Sequence, residues 1–165
     1  MQTLYVDMDN VLVDFPSGIA KISDELREQF DGDLDDVPGI FALMDPLPGA
    51  IDSFNKLAQV FDTYILSTAP WNNPSAWKDK IEWVQKYLGR PAFKRLILSH
   101  NKHLNIGDYL IDDRLANGVE KFTGEHIHFG TERFPDWQSV CDYLLQVRNS
   151  PLMSLSVKCF SSTSK

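Results

Sequence analysis

Apolar and polar positions alternate in blocks along this chain, and the blocks predict a regular succession of strands and helices. Residues 3–8 form a continuous apolar run that ends in two carboxylates, Asp7 and Asp9. A run without alternation predicts a strand buried on both faces. Pro16-Ser17-Gly18 opens a predicted helix with Ile19, Ile22, Leu26 and Phe30 along one side. An acidic, turn-rich stretch follows at 31–39, then an apolar patch at 40–44 and the punctuation Asp45-Pro46-Leu47-Pro48-Gly49. Ile51, Phe54, Leu57, Ala58 and Phe61 predict a second helix, and 62–67 a second strand. Asn73 and Pro74 carry the signature of a helix start, with Trp77, Ile81, Val84 and Leu88 as the inward stripe and Gly89 as the stop. Further strands are predicted at 93–98, 109–111 and 126–129, with a brief helix or turn at 116–122 between the last two. Pro135-Asp136 caps a final helix with Trp137, Val140, Cys141, Leu144 and Leu145 inward.

Strands that alternate with helices predict a parallel sheet with helices on both faces, a three-layer α/β fold of five strands. Residues 16–46 interrupt the alternation after strand 1 and are expected to form a small helical cap. The core is expected at 1–15 and 47–148, and the serine-rich stretch 149–165 is expected to be a tail, with docking as an extra edge strand as the alternative.

Composition narrows the partners. The 165 residues suffice for one domain with a substantial core. The net charge of −7 argues against a nucleic-acid polymer or an anionic membrane as partner. No apolar run approaches the roughly 20 residues that span a bilayer. No secretory signal is visible, so a cytoplasmic location is expected. Two cysteines, Cys141 and Cys159, imply no disulfide framework.

The chemistry collects at strand ends, where doubly wound sheets bind ligands. Asp7 and Asp9 follow strand 1, Ser67 and Thr68 end strand 2, Lys102 precedes strand 4, and Asp112 and Asp113 follow it. Singly, each has an ordinary explanation as turn, cap or surface chemistry. Two aspartate pairs brought together require a cation to offset their repulsion. Mg²⁺ beside a phosphate suits that need. His100-x-x-His103 and His126-x-His128 lack the further ligands of a zinc site and read as surface or packed histidines.

These motifs carry a family resemblance. Asp7-Met8-Asp9-Asn10-Val11, Ile65-Leu66-Ser67-Thr68, Lys102 and Leu110-Ile111-Asp112-Asp113 resemble, in order, the four motifs of the haloacid dehalogenase-like phosphohydrolases. Within that superfamily, Asp7 to Phe15, Pro46-Leu47-Pro48-Gly49-Ala50 and Leu110 to Arg114 are similar to the cytosolic type C 5′(3′)-deoxyribonucleotidases. The resemblance implies a Rossmann-like core and hydrolysis of a deoxynucleoside monophosphate through an aspartyl-phosphate. It implies Asp7 as nucleophile and Asp9 as proton shuttle, because relatives with other activities lack an acid at the second position. It implies Ser67, Thr68 and Lys102 at the phosphate. Mg²⁺ would be held by Asp7, the Asp9 carbonyl and Asp112, with Asp113 supporting, and a homodimer is a further implication.

Phe15 matches an aromatic that stacks on the base in that family, and Phe41 and Trp71 are further candidate pocket residues. All four tryptophans (Trp71, Trp77, Trp83, Trp137) lie outside 16–46, whereas the mammalian caps carry a tryptophan pair. The same chemistry on a sugar phosphate is one alternative. A non-catalytic phosphorylation-receiver domain is another. Receivers, however, place the hydroxyl and lysine after the central aspartate, the reverse of the order here.

Overall fold

The computed structural model describes residues 1–149. Of the tail expected at 149–165, Asn149 belongs to the last helix; the remainder, with the possible edge strand and Cys159, lies outside the described residues.

Five parallel strands form the sheet: β1 (Thr3–Val6), β4 (Asp62–Ser67), β5 (Leu96–Leu98), β6 (Tyr109–Asp112) and β7 (Glu125–His128), in the spatial order β5-β4-β1-β6-β7. The chain builds outward from β1 to β4 and β5, then crosses back to place β6 on the other side of β1. The strand order therefore reverses at β1, and the crevice beyond its carboxyl end is where such sheets bind ligands. The ladder outlasts the strand, since Asp7 N donates to Ile111 O at 2.9 Å. That bond registers the first aspartate against the strand carrying Asp112.

Alternation along the strands divides the core. Leu4, Val6, Ile65, Ile111 and Ile127 face a large cluster built with Phe54 and Leu57 of α3 (Ala50–Leu57), Trp83 and Val84 of α4 (Pro74–Tyr87), and Trp137, Val140 and Leu144 of α5 (Trp137–Asn149). Tyr5, Leu66 and Leu110 face the other way, into a smaller cluster with Val119 of a 3₁₀ turn and Phe122. Asp136 caps α5 as expected, its Oδ1 accepting from Ser139 N at 2.9 Å.

Several local expectations change. The single helix predicted after Pro16 is two short ones, α1 (Phe15–Ile19) and α2 (Asp24–Gln29). Ser23 breaks the run because its hydroxyl caps α2, accepting from Leu26 N. Before and after this segment, β2 (Val13–Asp14) pairs antiparallel with β3 (Asp45–Pro46), a two-residue ladder with no periodicity to reveal it. Residues 93–95 are not strand. Lys94 takes a left-handed turn at φ 60°, and β5 starts only at Leu96. Asn73 does not cap α4 with its side chain. It donates instead to Asp35 O and Val37 O, at 2.8 and 3.0 Å, and so ties the 16–46 segment to α4.

The largest correction is the rotation of α4. Trp77 and Ile81, expected inward, are 42% and 39% exposed; Val84 and Leu88 are buried as expected, and Ala76, Lys80 and Trp83 are buried beside them. A lysine in the inward stripe is costly unless it meets an anion, and Lys80 meets one at the site described next.

Candidate active site

The turn after β1 is drawn tight by one carbonyl. Met8 O accepts from Val11 N, Leu12 N and Val13 N, and Asn10 adopts φ 56°. Asp9 and Asn10 thereby line a cavity of about 530 Å³, with Asp7 buried two residues before Asp9. Asp7 is 1% exposed and Asp112 1%. Ligand oxygens of Asp7, Asp112 and Asp113 lie within 4.8 Å of one another.

Two lysines answer this charge. Lys102, in a 3₁₀ turn, lies 2.9 Å from Asp7 Oδ1 and donates a short hydrogen bond to Asp112 Oδ2. Its backbone N donates to Asn117 O at 2.8 Å, which anchors the turn to the loop after β6. Burial pulls the Lys102 amine down, but Asp7 and Asp112 outweigh it and hold the group charged above its usual value. Lys80 was not foreseen. It is fully buried, and its Nζ bonds both Asp9 carboxylate oxygens at 2.8 and 2.7 Å and the Ser67 hydroxyl at 3.1 Å. The same ammonium lies 4.5 Å from the centre of the Phe41 ring, a cation–π contact.

The carboxylates remain under-compensated. Burial and the Asp7 charge push Asp112 up to about 6, against the pull of Lys102. Burial and Asp7 also raise Asp113. Burial raises Asp9 as well, the opposing Lys80 notwithstanding. Among the described residues, Asp7 Oδ1 and Asp113 Oδ1 are buried without a hydrogen-bond partner. Lys102 sits at ion-pair distance from Asp7 Oδ1 but off the hydrogen-bonding direction. Two orphaned carboxylate oxygens beside a third acid form an all-oxygen donor set suited to a hard divalent cation that keeps some of its water. The residues fit Mg²⁺.

The remaining candidates take distinct places. Thr68 lines the cavity, with its hydroxyl donating to Ser99 O at 2.9 Å. Ser67 is fully buried behind it, against Lys80. Lys102 is oriented by Asp112 and Asp7, and Asp113 instead accepts from Asn10 Nδ2 at 3.4 Å. Phe15 and Phe41 line the cavity from the 16–46 side, their ring centres 5.9 Å apart. Trp71 lines it from the loop after β4 and is 81% exposed. Its ring meets His100 edge-on at 5.8 Å, and His100 Nε2 donates to Ala69 O at 2.8 Å.

Comparison with known proteins gives a consistent picture. Residues 33–149 match the model of the family described as 5′ nucleotidase, deoxy (pyrimidine), cytosolic type C protein. A candidate 5′(3′)-deoxyribonucleotidase of Vibrio phage KVP40 is 61% identical over 86% of this chain and 83% of its own length. The human cytosolic-type 5′(3′)-deoxyribonucleotidase is 32% identical over 75% of this chain and 77% of its own. Among solved structures, a candidate HAD-hydrolase of Bacillus subtilis, bound to magnesium, superposes with a TM-score of 0.58 at 13% identity, covering 90% of this chain and 99% of that one. At that identity the likeness concerns the α/β fold alone. No helix among the described residues is long and apolar enough to cross a membrane.

Proposed function

The chain belongs to the cytosolic type C 5′-nucleotidase family, and from that premise we propose that it hydrolyses the phosphomonoester of 5′(3′)-deoxyribonucleotides with Asp7 as nucleophile. The observation that carries this is the state of Asp7. It is a buried carboxylate with one orphaned oxygen, placed at the strand-order reversal between Lys102 and the Asp112–Asp113 pair.

An Asp7 oxygen attacks phosphorus, and the bond from phosphorus to the deoxyribose oxygen breaks. Asp9 protonates the departing alkoxide; burial raises its affinity for a proton, the direction this role needs. Asp9, now a carboxylate, then takes a proton from water as the water oxygen attacks phosphorus. The Asp7–phosphorus bond breaks, and inorganic phosphate and free Asp7 are restored. Lys80 pairs with Asp9 and Lys102 with Asp7, so two fixed cations stand beside the two acting carboxylates and offset the charge that the phosphoryl group brings. Thr68 lines the phosphate end of the cavity. Asp7, the Asp9 carbonyl and Asp112, with Asp113 beside them, would hold Mg²⁺, which when bound would supply the further charge neutralisation that one anion's approach to another needs. Excess EDTA is therefore expected to abolish phosphate release and added Mg²⁺ to restore it. Full activity in EDTA would contradict the site.

Residues 16–46 act as the cap over this cavity, contributing Phe41 and Leu34 to its lining, with Phe15 just before the segment lining it as well. The base is expected to lie between these side chains and Trp71. Stacking on an aromatic contributes about 1–3 kcal/mol per base. Trp71→Ala should therefore raise KM for deoxynucleotides about tenfold at unchanged kcat. Deoxyribose 5-phosphate, which has no base, should be unaffected. Equal losses on both substrates would remove Trp71 from the base site.

Phosphate release from a panel of deoxynucleoside monophosphates and sugar phosphates tests the substrate assignment. Deoxynucleotides are expected to be hydrolysed fastest. A sugar phosphate turned over faster than all of them would shift the substrate to that class and leave the chemistry unchanged.

A further inference from the structure

The His126-x-His128 pair, which no zinc site claims, has partners that the sequence does not disclose. Both rings project from the same side of β7, the edge strand beside β6. His126 Nε2 donates to the main-chain oxygen of Asp112 at 3.0 Å, and His128 Nε2 donates to that of Asp113 at 2.9 Å. A carbonyl only accepts, so both imidazoles carry their hydrogen on Nε2. The rings stack with centres 5.0 Å apart and planes at 30°, each limiting rotation of the other. Thr131 Oγ1 donates to His128 O at 2.7 Å and fixes the end of β7 in turn.

These bonds act where the sheet stops restraining the chain. The ladder reaches Asp112, whose carbonyl also accepts from Phe129 N at 3.0 Å. Asp113 lies beyond β6, yet its carboxylate must stay within 4.8 Å of the Asp7 and Asp112 ligand oxygens. Mutual repulsion of the three acids drives the end of β6 away from β1. Two donors on the carbonyls of Asp112 and Asp113 restrain that movement from the main-chain side. We propose that His126 and His128 are positioning residues for the divalent-cation site, holding the backbone of Asp112 and Asp113 so that their carboxylates stay converged on Asp7.

The proposal rests on the Mg²⁺ site above, and its test separates the two. Calorimetric titration of the full chain with Mg²⁺ alone is compared for wild type, the double His→Leu variant and the double His→Gln variant. Leucine keeps bulk and removes the donor; glutamine keeps a donor at similar reach. The Leu variant is expected to bind Mg²⁺ about 10–100-fold more weakly. The Gln variant should recover most of that loss, and metal-free Tm should not follow the same order. Equal Mg²⁺ affinity in the Leu variant and wild type would overturn the proposal. Absence of Mg²⁺ binding by wild type would overturn the metal site itself. Imidazole ¹⁵N spectra of the wild type need no variant: Nε2-protonated tautomers at both residues support the arrangement, and an Nδ1-protonated tautomer at either overturns it.

Discussion

Asp7→Asn is expected to lower turnover by about four orders of magnitude or more, the scale seen when a covalent nucleophile is removed, while the protein stays folded. The change keeps volume and shape at a position that is 1% exposed, so no cavity opens. It removes an ion-pair partner of Lys102 at 2.9 Å, a loss. It also removes the charge that, after burial, does most to raise Asp112 and Asp113, a gain. The two effects oppose, and Tm should move by only a few degrees, the scale of about 1 kcal/mol in a domain of this size. Circular dichroism and phosphate release on the same sample check the result. Appreciable residual activity in a folded variant would remove Asp7 from the nucleophile's role.

Lys80→Met should be the most damaging change outside the four sequence motifs, in both stability and rate. The methionine keeps most of the stem but leaves the Asp9 carboxylate and the Ser67 hydroxyl without their shared cation. Removing one partner of a buried ion pair costs about 3–5 kcal/mol. Asp9 is 14% exposed at its side chain, and burial already favours its protonation, so about 3 kcal/mol is expected. The rate should fall about 10²–10³-fold, as when a fixed electrostatic donor is lost from a reacting centre. Denaturant unfolding and kcat at saturating deoxynucleotide measure the two effects. A variant of wild-type stability and rate would show the Lys80–Asp9 contact to be incidental.

Lys80 also marks the boundary of what the sequence conveyed. The aspartate pairs were legible because two of them, each following a buried apolar strand, require a cation when brought together. The parallel sheet was legible from alternating periods. The face of α4 was not. Trp77-Ile81-Val84-Leu88 and Ala76-Lys80-Trp83-Tyr87 both follow helical spacing, and hydrophobicity favours the first. The helix buries Ala76, Lys80 and Trp83 along with Val84 and Leu88 and leaves Trp77 and Ile81 exposed, because Lys80 gains Asp9 and Ser67 while Trp83 Nε1 finds Met44 O at 3.0 Å. Only a tertiary partner distinguishes the stripes. The β2–β3 ladder was invisible for a similar reason, two residues being too few for any period. His126 and His128 were judged by whether side-chain ligands surrounded them, whereas their partners are backbone carbonyls that no sequence pattern shows.

The central claim is that Asp7 becomes phosphorylated, and the Asp9→Asn variant tests it most directly. Its carboxamide cannot take a proton from water, so a phosphoryl-enzyme cannot be cleared. With p-nitrophenyl phosphate the departing phenolate needs no proton, so the first step still runs. Mixing the variant with this ester and Mg²⁺, quenching in acid and mapping peptides by mass should give a burst of one phenolate per chain, with the phosphoryl group on Asp7. Steady turnover without a burst, or a phosphoryl group on any other residue, would contradict the account.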